Sequence, residues 1–236
     1  MERYSIIENK FNREIVLLKG TPCKWGRCSF CDYILDNSTD IKKIEEENRE
    51  ILDKVTGKYS RLEVINSGSV FELPKSTLNY IKEIALSKGI KELVFEAHWM
   101  YKNRLDEIRK FFEGMNIVFK TGIETFDDYF RNKVFNKGIV YKNIEEVSSL
   151  FDSVCILCCV QGQTREMIKR DIEIATTKFK RCTINVFNNN STEIKRDEEL
   201  VKWFVSEFGE KLNSMENAEL LVEITDFGVG DLQSED

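Results

Sequence analysis

The sequence predicts an α/β fold: a parallel sheet with helices outside, arranged as an open sheet or a partial barrel. Apolar, β-branched runs alternate with amphipathic stretches of helical period along the 236 residues. The runs are apolar without a break, as strands buried on both faces are. The chain has two prolines and no Pro/Gly-rich linker, which predicts a single domain over residues 1–236.

The first run is Glu14 to Lys19. Arg61 to Asn66, Glu92 to Phe95, Asn116 to Lys120, Ser153 to Val160 and Cys182 to Phe187 follow, giving six strand–helix units. Ile41, Ile44, Ile51 and Val55 share one face of the first helix. The second starts after Pro74 with Ser76 as its cap, presents Leu78, Ile81, Ile84 and Ala85, and stops at Gly89. Leu105, Ile108 and Phe112 mark a third, stopped near Gly114. Residues 125–150 carry one or two shorter helices, Thr164 caps the next, and Asp197 opens the last long one. The run Leu220 to Ile224 is an extra strand within a C-terminal extension from about residue 196. The acidic tail from Asp226 to Asp236 is expected to fray. Ligands in such folds bind at the carboxyl ends of the strands.

Hydrophobic residues make up 42% and charged residues 32% of the chain, the balance of a globular protein that buries a sizeable core. There is no apolar stretch of membrane-spanning length and no charged-then-apolar leader, so a cytoplasmic protein without a membrane partner is expected. The net charge is −6 and the pI about 5.2. Lysine and arginine are spread along the helices, which favours a small-molecule substrate over direct tRNA binding. Seven cysteines, four of them (Cys155, Cys158, Cys159 and Cys182) in apolar runs, read as reduced thiols. Cys155, Cys158 and Cys159 read as core.

The other three cysteines crowd a loop after the first run, Gly20-Thr21-Pro22-Cys23-Lys24-Trp25-Gly26-Arg27-Cys28-Ser29-Phe30-Cys31-Asp32-Tyr33. Three thiolates so close together hold a metal or an iron–sulfur cluster and leave one coordination position open. The Cys-x4-Cys-x2-Cys spacing also occurs in plant-type ferredoxins, which need a fourth cysteine. A zinc site completed by the sole histidine, His98, is a further alternative.

In its context the loop resembles the radical S-adenosylmethionine (SAM) superfamily. Members place Cys-x3-Cys-x2-Cys after the first strand of a partial (β/α)6 barrel, with an aromatic before the last cysteine. Here Phe30 is that aromatic, and one extra residue separates Cys23 from Cys28. The resemblance implies that Cys23, Cys28 and Cys31 hold a 4Fe-4S cluster whose bare iron takes SAM. It also implies the partial-barrel fold and an electron donor such as flavodoxin or ferredoxin.

It carries further residues over. Asn66-Ser67-Gly68-Ser69 stands where members have a small-residue turn holding the methionine end of SAM, although the common Gly-Gly-Glu version is absent; Ser67, Gly68 and Ser69 are the candidates. Lys120-Thr121-Gly122-Ile123-Glu124 stands where many members have a Gly-Ile-Glu-like segment, which makes Lys120 and Glu124 cofactor-binding candidates. Thr125 can also cap the next helix, with Asp127 and Asp128 in its first turn. Glu96 and His98 alternate at the ligand end of one strand and are candidates for substrate binding or proton transfer. Asn185 and Asn188 are placed to read polar edges of adenine or substrate. Asp226 is a carboxylate able to pair with a guanine-like N–H edge.

The stretch from Gly20 to Tyr33 is similar to radical SAM proteins of 7-deazaguanine metabolism, which include the archaeosine synthase radical subunit. A short, acidic, single-domain chain resembles those that salvage queuine. That implies a lyase cleaving the bond between the exocyclic amine and the cyclopentenediol to give 7-aminomethyl-7-deazaguanine. Action on a 7-deazaguanine within tRNA is the alternative in the same group, and an iron–sulfur electron carrier the alternative of another class.

Overall fold

The computed structural model describes residues 1–230. The last part of the predicted frayed tail, 231–236, lies outside the described residues. Strand order in the sheet follows chain order. Contacts divide the chain into two compact units, one of Met1–Gly26, Tyr33–Phe119 and the segment from Phe227, the other of Arg27–Asp32 and Lys120–Asp226. Among the described residues no helix is long and apolar enough to cross a membrane.

The first unit opens with β1 (Tyr4–Ile7), which pairs antiparallel with β2 (Arg13–Leu18). The four-residue β1 is absent from the sequence expectation. Parallel pairing follows from β2 to β3 (Arg61–Asn66) and on to β4 (Glu92–Glu96). Helix α1 (Ile41–Leu52) is capped by Asp40, which accepts from Lys43 N, and α2 (Lys75–Ser87) follows Pro74. Proline's fixed φ and missing N–H suit a helix start. Ser76 is therefore not the cap: it lies inside the first turn and its hydroxyl donates to Glu45. Ile41 is solvent-exposed and Val55 lies past the helix end, so the buried stripe of α1 is Ile44, Asn48, Ile51 and Leu52. Helix α3 (Leu105–Phe111) completes this unit.

The amino ends of these strands are fastened by buried charge. Arg13 pairs with Glu63, both nearly inaccessible. Glu14 accepts from Thr56 N at 2.7 Å, Gly57 N at 2.6 Å and the Tyr4 hydroxyl at 2.7 Å. Burial alone would raise the Glu14 carboxyl, but these donors more than offset it and hold it below the usual range.

Strand β5 (Asn116–Glu124) passes from the first unit into the second. It runs past Lys120, where the apolar pattern ends, with a bulge against β6 between Gly122 and Glu124. Thr121 and Ile123 stay buried there, so a segment that reads as a post-strand loop is still strand. A single π-turn (Phe130–Val134) and α4 (Ile144–Ser148) precede β6 (Ser153–Cys158). Helix α5 (Arg165–Lys178), capped by Thr164, leads to β7 (Arg181–Val186). Helix α6 (Glu198–Ser214), capped by Asp197, leads to β8 (Ala218–Leu221), and the pairs β5–β6, β6–β7 and β7–β8 are parallel. The extra C-terminal strand thus exists but ends earlier than Ile224. Asp226 accepts from Val222 N and Glu223 N, both at 2.9 Å, and this bends the chain into a 3-10 turn.

Candidate active site

In the first unit the cysteine loop leaves β2 fastened to α1: Lys19 N donates to Asn48 Oδ1 at 2.7 Å and Asn48 Nδ2 to Lys19 O at 2.8 Å. Gly20 lets it pass close to β3, because a Cβ there would lie 2.9 Å from Asn66 Nδ2. Thr21 N and Oγ1 both donate to Glu72 O at 2.9 Å. The Glu72 carboxylate is buried and accepts from Ser69 N at 2.6 Å, Lys24 N at 3.3 Å and the Tyr101 hydroxyl. Burial, followed by this bond to Glu72, pushes the Tyr101 phenol well above its ordinary range. Glu72 therefore ties the cysteine loop to the turn after β3.

That turn is Ser67-Gly68-Ser69. Ser67 is buried and its Oγ has no hydrogen-bond partner among the described residues. A Cβ on Gly68 would stand 3.4 Å from Cys23 Cα and 3.1 Å from Glu72 Oε2, so the turn abuts the first cysteine directly. Ser69 Oγ accepts from His98 N at 2.9 Å. Strand β4 ends at Glu96, and His98 caps the following 3-10 turn with Nδ1 accepting from Met100 N. The expected alternation of Glu96 and His98 along one strand does not hold, because the chain has left the strand before His98. Both residues are half-buried.

In the second unit Cys28 and Cys31 lie on the segment Arg27–Asp32, with Cys31 N donating to Cys28 O at 3.3 Å. Residues 135–137 hold this segment. Ser29 N donates to Phe135 O at 3.0 Å, Asn136 Nδ2 donates to Arg27 O at 2.9 Å, and the Phe30 and Phe135 rings meet edge to face at 5.0 Å. Asn190 Nδ2 donates to Phe30 O at 2.8 Å. Glu124 ends β5 in the left-handed region at φ 65, buried, with Oε1 accepting from Lys137 Nζ at 3.0 Å. Gly122 makes room for that pair: a Cβ would fall 2.3 Å from Glu124 Oε1 and 3.1 Å from Lys137 Nζ. Burial works against the Lys137 charge, but Glu124 and the Cys28 and Cys31 thiols overcome it and hold the ammonium above the ordinary lysine range.

Lys120 is buried in β5, and Asn185 is half-buried in β7. Asn188 donates to Val186 O and Val222 O, and its Oδ1 accepts from Arg196 Nη1 at 2.5 Å. Asp226 is exposed and caps its own turn.

None of the seven cysteines forms a disulfide. Cys23, Cys28 and Cys31 are half-buried, whereas the other four are buried; burial pushes the Cys159 thiol up to about 12 and the Cys158 thiol well above its usual value. Among the described residues no three His, Cys, Asp or Glu side chains are already gathered as a metal site. The donor chemistry nevertheless fits a thiolate-bound cluster with a polar ligand beside it. Three free, half-buried thiols lie within nine residues of sequence, and next to Cys23 lie the glycine of a tight turn and an orphaned buried hydroxyl.

Four participants escaped the sequence reading: Glu72, Tyr101, Asn136 and Lys137. Ser69-x-x-Glu72 is a capping-box spacing, which was a usable signal for Glu72. Nothing local marks the other three.

No protein-family profile matches the chain. The structure superposes on queuine lyase from Clostridium spiroforme, solved with SAM and queuine, at a TM-score of 0.94; the two share 54% identity over 98% of this chain and 100% of that one. It also superposes on SuiB from Streptococcus suis, solved with SAM, at a TM-score of 0.56 and 14% identity over 89% of this chain and 47% of that one, a likeness of fold. An uncharacterized protein of Methanocaldococcus jannaschii is 31% identical over 148 residues, and the match covers 55% of this chain and 40% of that protein. The fold is the α/β partial barrel of the radical SAM type. The chain belongs to the queuine lyase family of radical SAM enzymes.

Proposed function

We propose that this chain cleaves the bond between the exocyclic amine and the cyclopentenediol of queuine, giving 7-aminomethyl-7-deazaguanine. One observation carries the reading, the 54% identity with a queuine lyase over nearly the full length of both chains. In this reading Cys23, Cys28 and Cys31 hold a 4Fe-4S cluster. Bound together, cluster and SAM supply one-electron cleavage of the sulfonium to methionine and a 5′-deoxyadenosyl radical.

The chain's own residues bind and orient. The Ser67 hydroxyl, unpartnered and buried, and the backbone at Gly68 receive the amino-acid end of SAM beside Cys23. Phe30 offers an aromatic face, and Ser69 fixes the turn by accepting from His98 N. Glu124 is an acceptor for ribose hydroxyls or the methionine amine, paired with Lys137, and Lys120 and Asn185 complete the cofactor set. Glu96, His98, Asn188 and Asp226 are the candidates for reading the base, where a carboxylate accepting from N1–H and the exocyclic amine gives charge-assisted selectivity. The reading places the protein in the cytoplasm, with a flavodoxin or ferredoxin as electron donor.

The test is anaerobic incubation of reconstituted protein with SAM, dithionite and queuine. Release of 7-aminomethyl-7-deazaguanine is expected from wild type and not from Cys28→Ala. SAM cleavage without that product would overturn the substrate while keeping the reaction class. Stimulation by tRNA would move the substrate to the nucleic-acid-bound base.

A further inference from the structure

The segment Phe135-Asn136-Lys137 does more than pack. It grips residues 27–30 by two hydrogen bonds to backbone and one ring contact, and Lys137 Nζ stands 5.5 Å over the Phe30 ring. Asn136 reaches Arg27 from a left-handed conformation, φ 51, which asparagine tolerates better than most residues. Lys137 N is itself fixed by Arg131 O at 3.0 Å, so the ammonium is delivered from an ordered backbone.

A buried ammonium needs a partner, and Glu124 is one. The ammonium of this pair stands over the ring of Phe30, a residue between Cys28 and Cys31 in the chain. A fixed cation there stabilises negative charge gathered on the cysteine segment. In a site of low effective dielectric such an interaction is far stronger than in water.

We propose that Lys137 is a charge-balancing and positioning residue for the cysteine loop. Its fixed positive charge beside residues 28–31 eases the addition of one electron to a cluster carried on them. Reduction potentials of iron–sulfur clusters follow net charge and the surrounding polar groups. Removing the cation disfavours the more negative, reduced state, while neutralising Glu124 unmasks the cation and does the opposite. The inference rests on the radical SAM reading of the loop.

The experiment compares wild type with Lys137→Met, Lys137→Arg and Glu124→Gln after anaerobic reconstitution, without SAM or substrate. Iron and sulfide are counted per chain. The cluster is then titrated with dithionite, which donates the single electron, and the reduced form is followed by electron paramagnetic resonance. About four iron and four sulfide per wild-type chain are expected; a wild type that takes up none overturns the enzyme reading itself. With the cluster loaded, Lys137→Met is expected to lower the reduction equilibrium about tenfold, roughly 59 mV for one electron. Lys137→Arg should stay near wild type and Glu124→Gln should shift upward. An unmoved midpoint in Lys137→Met, or one that moves equally in Lys137→Arg, overturns the proposal. If Lys137→Met does not fold, Glu124→Gln decides: a rise supports the proposal, and no shift or a fall overturns it.

Discussion

Trp25 stacks on His98, with ring centroids 5.5 Å apart and planes within 14°. Trp25 lies within the Cys-x4-Cys stretch. Gly26 takes a left-handed conformation, φ 53, and its N–H points at Cys23 Sγ at 3.4 Å. A Cβ there would come within 2.9 Å of Cys23 O, so the tight return to the backbone needs glycine. The loop turns back on its first cysteine, and Trp25 lies against an imidazole whose Nδ1 accepts from Met100 N, while the His98 backbone N–H donates to Ser69 Oγ.

If the stack holds the loop, its loss frees the loop. Aromatic pairs contribute about 0.5–1.5 kcal/mol, which is roughly three- to tenfold in a local opening equilibrium. Lys24 is exposed, so tryptic cleavage after it reports the opening. His98→Ala should accelerate that cleavage by about this factor, and His98→Phe, which keeps a ring, should not. An unchanged rate in His98→Ala would mean that other contacts suffice.

Glu72 sets a larger stake. Its buried carboxylate serves Ser69 N, Lys24 N and the Tyr101 hydroxyl. Glu72→Ala strands the last of these beside an apolar methyl, and a buried unsatisfied donor costs about 1–3 kcal/mol. We expect urea denaturation to show Glu72→Ala about 3 kcal/mol less stable than wild type and Tyr101→Phe only about 1 kcal/mol. Equal losses would mean that the phenol is the main partner and the backbone donors find water.

These two residues also mark where the sequence stops being legible. The parallel strands could be read because each is a continuous apolar run, and the caps at Thr164 and Asp197 because cap chemistry is local. The loop was legible because three cysteines in so short a span have few uses. Strand β1 was not: four residues paired only at one edge carry too little pattern. The end of β5 was misplaced because Gly122 reads as a turn, whereas the structure uses its missing side chain for the Glu124–Lys137 pair. Lys137 itself has no signature, since one lysine among many becomes special only when folding brings it to residues 28–31.

That account of Gly122 has a sharp consequence. A single methyl at this position collides with Glu124 Oε1 and crowds Lys137 Nζ, within a strand whose neighbours are buried. Overpacking of this kind costs about 1–3 kcal/mol. Gly122→Ala should destabilise the protein by about that amount in urea, and should cost little further when added to Glu124→Ala, where the colliding carboxylate is gone. An equal further loss in that background would place the strain in the backbone.

Asp171 offers a test by pH. It lies buried on α5; its Oδ1 accepts from Phe126 N at 2.8 Å, while Oδ2 has no hydrogen-bond partner among the described residues. Burial pushes its carboxyl from 3.8 up to about 6, against the pull of hydrogen bonds from Thr125 and Phe126. The folded state therefore holds this proton more tightly than the unfolded chain does. The stability Asp171 contributes is complete below about pH 4 and is lost as pH rises through 6, where the folded state must ionise a buried group. Two pKa units correspond to roughly 3 kcal/mol, of which about 2 kcal/mol remains once the surroundings relax around the charge. Asp171→Asn keeps an oxygen for Phe126 N and has no proton to lose. It should match wild type near pH 4 and exceed it by about 2 kcal/mol at pH 7.5 in urea denaturation. A variant less stable than wild type at pH 7.5 would mean that the fold requires the ionised carboxylate.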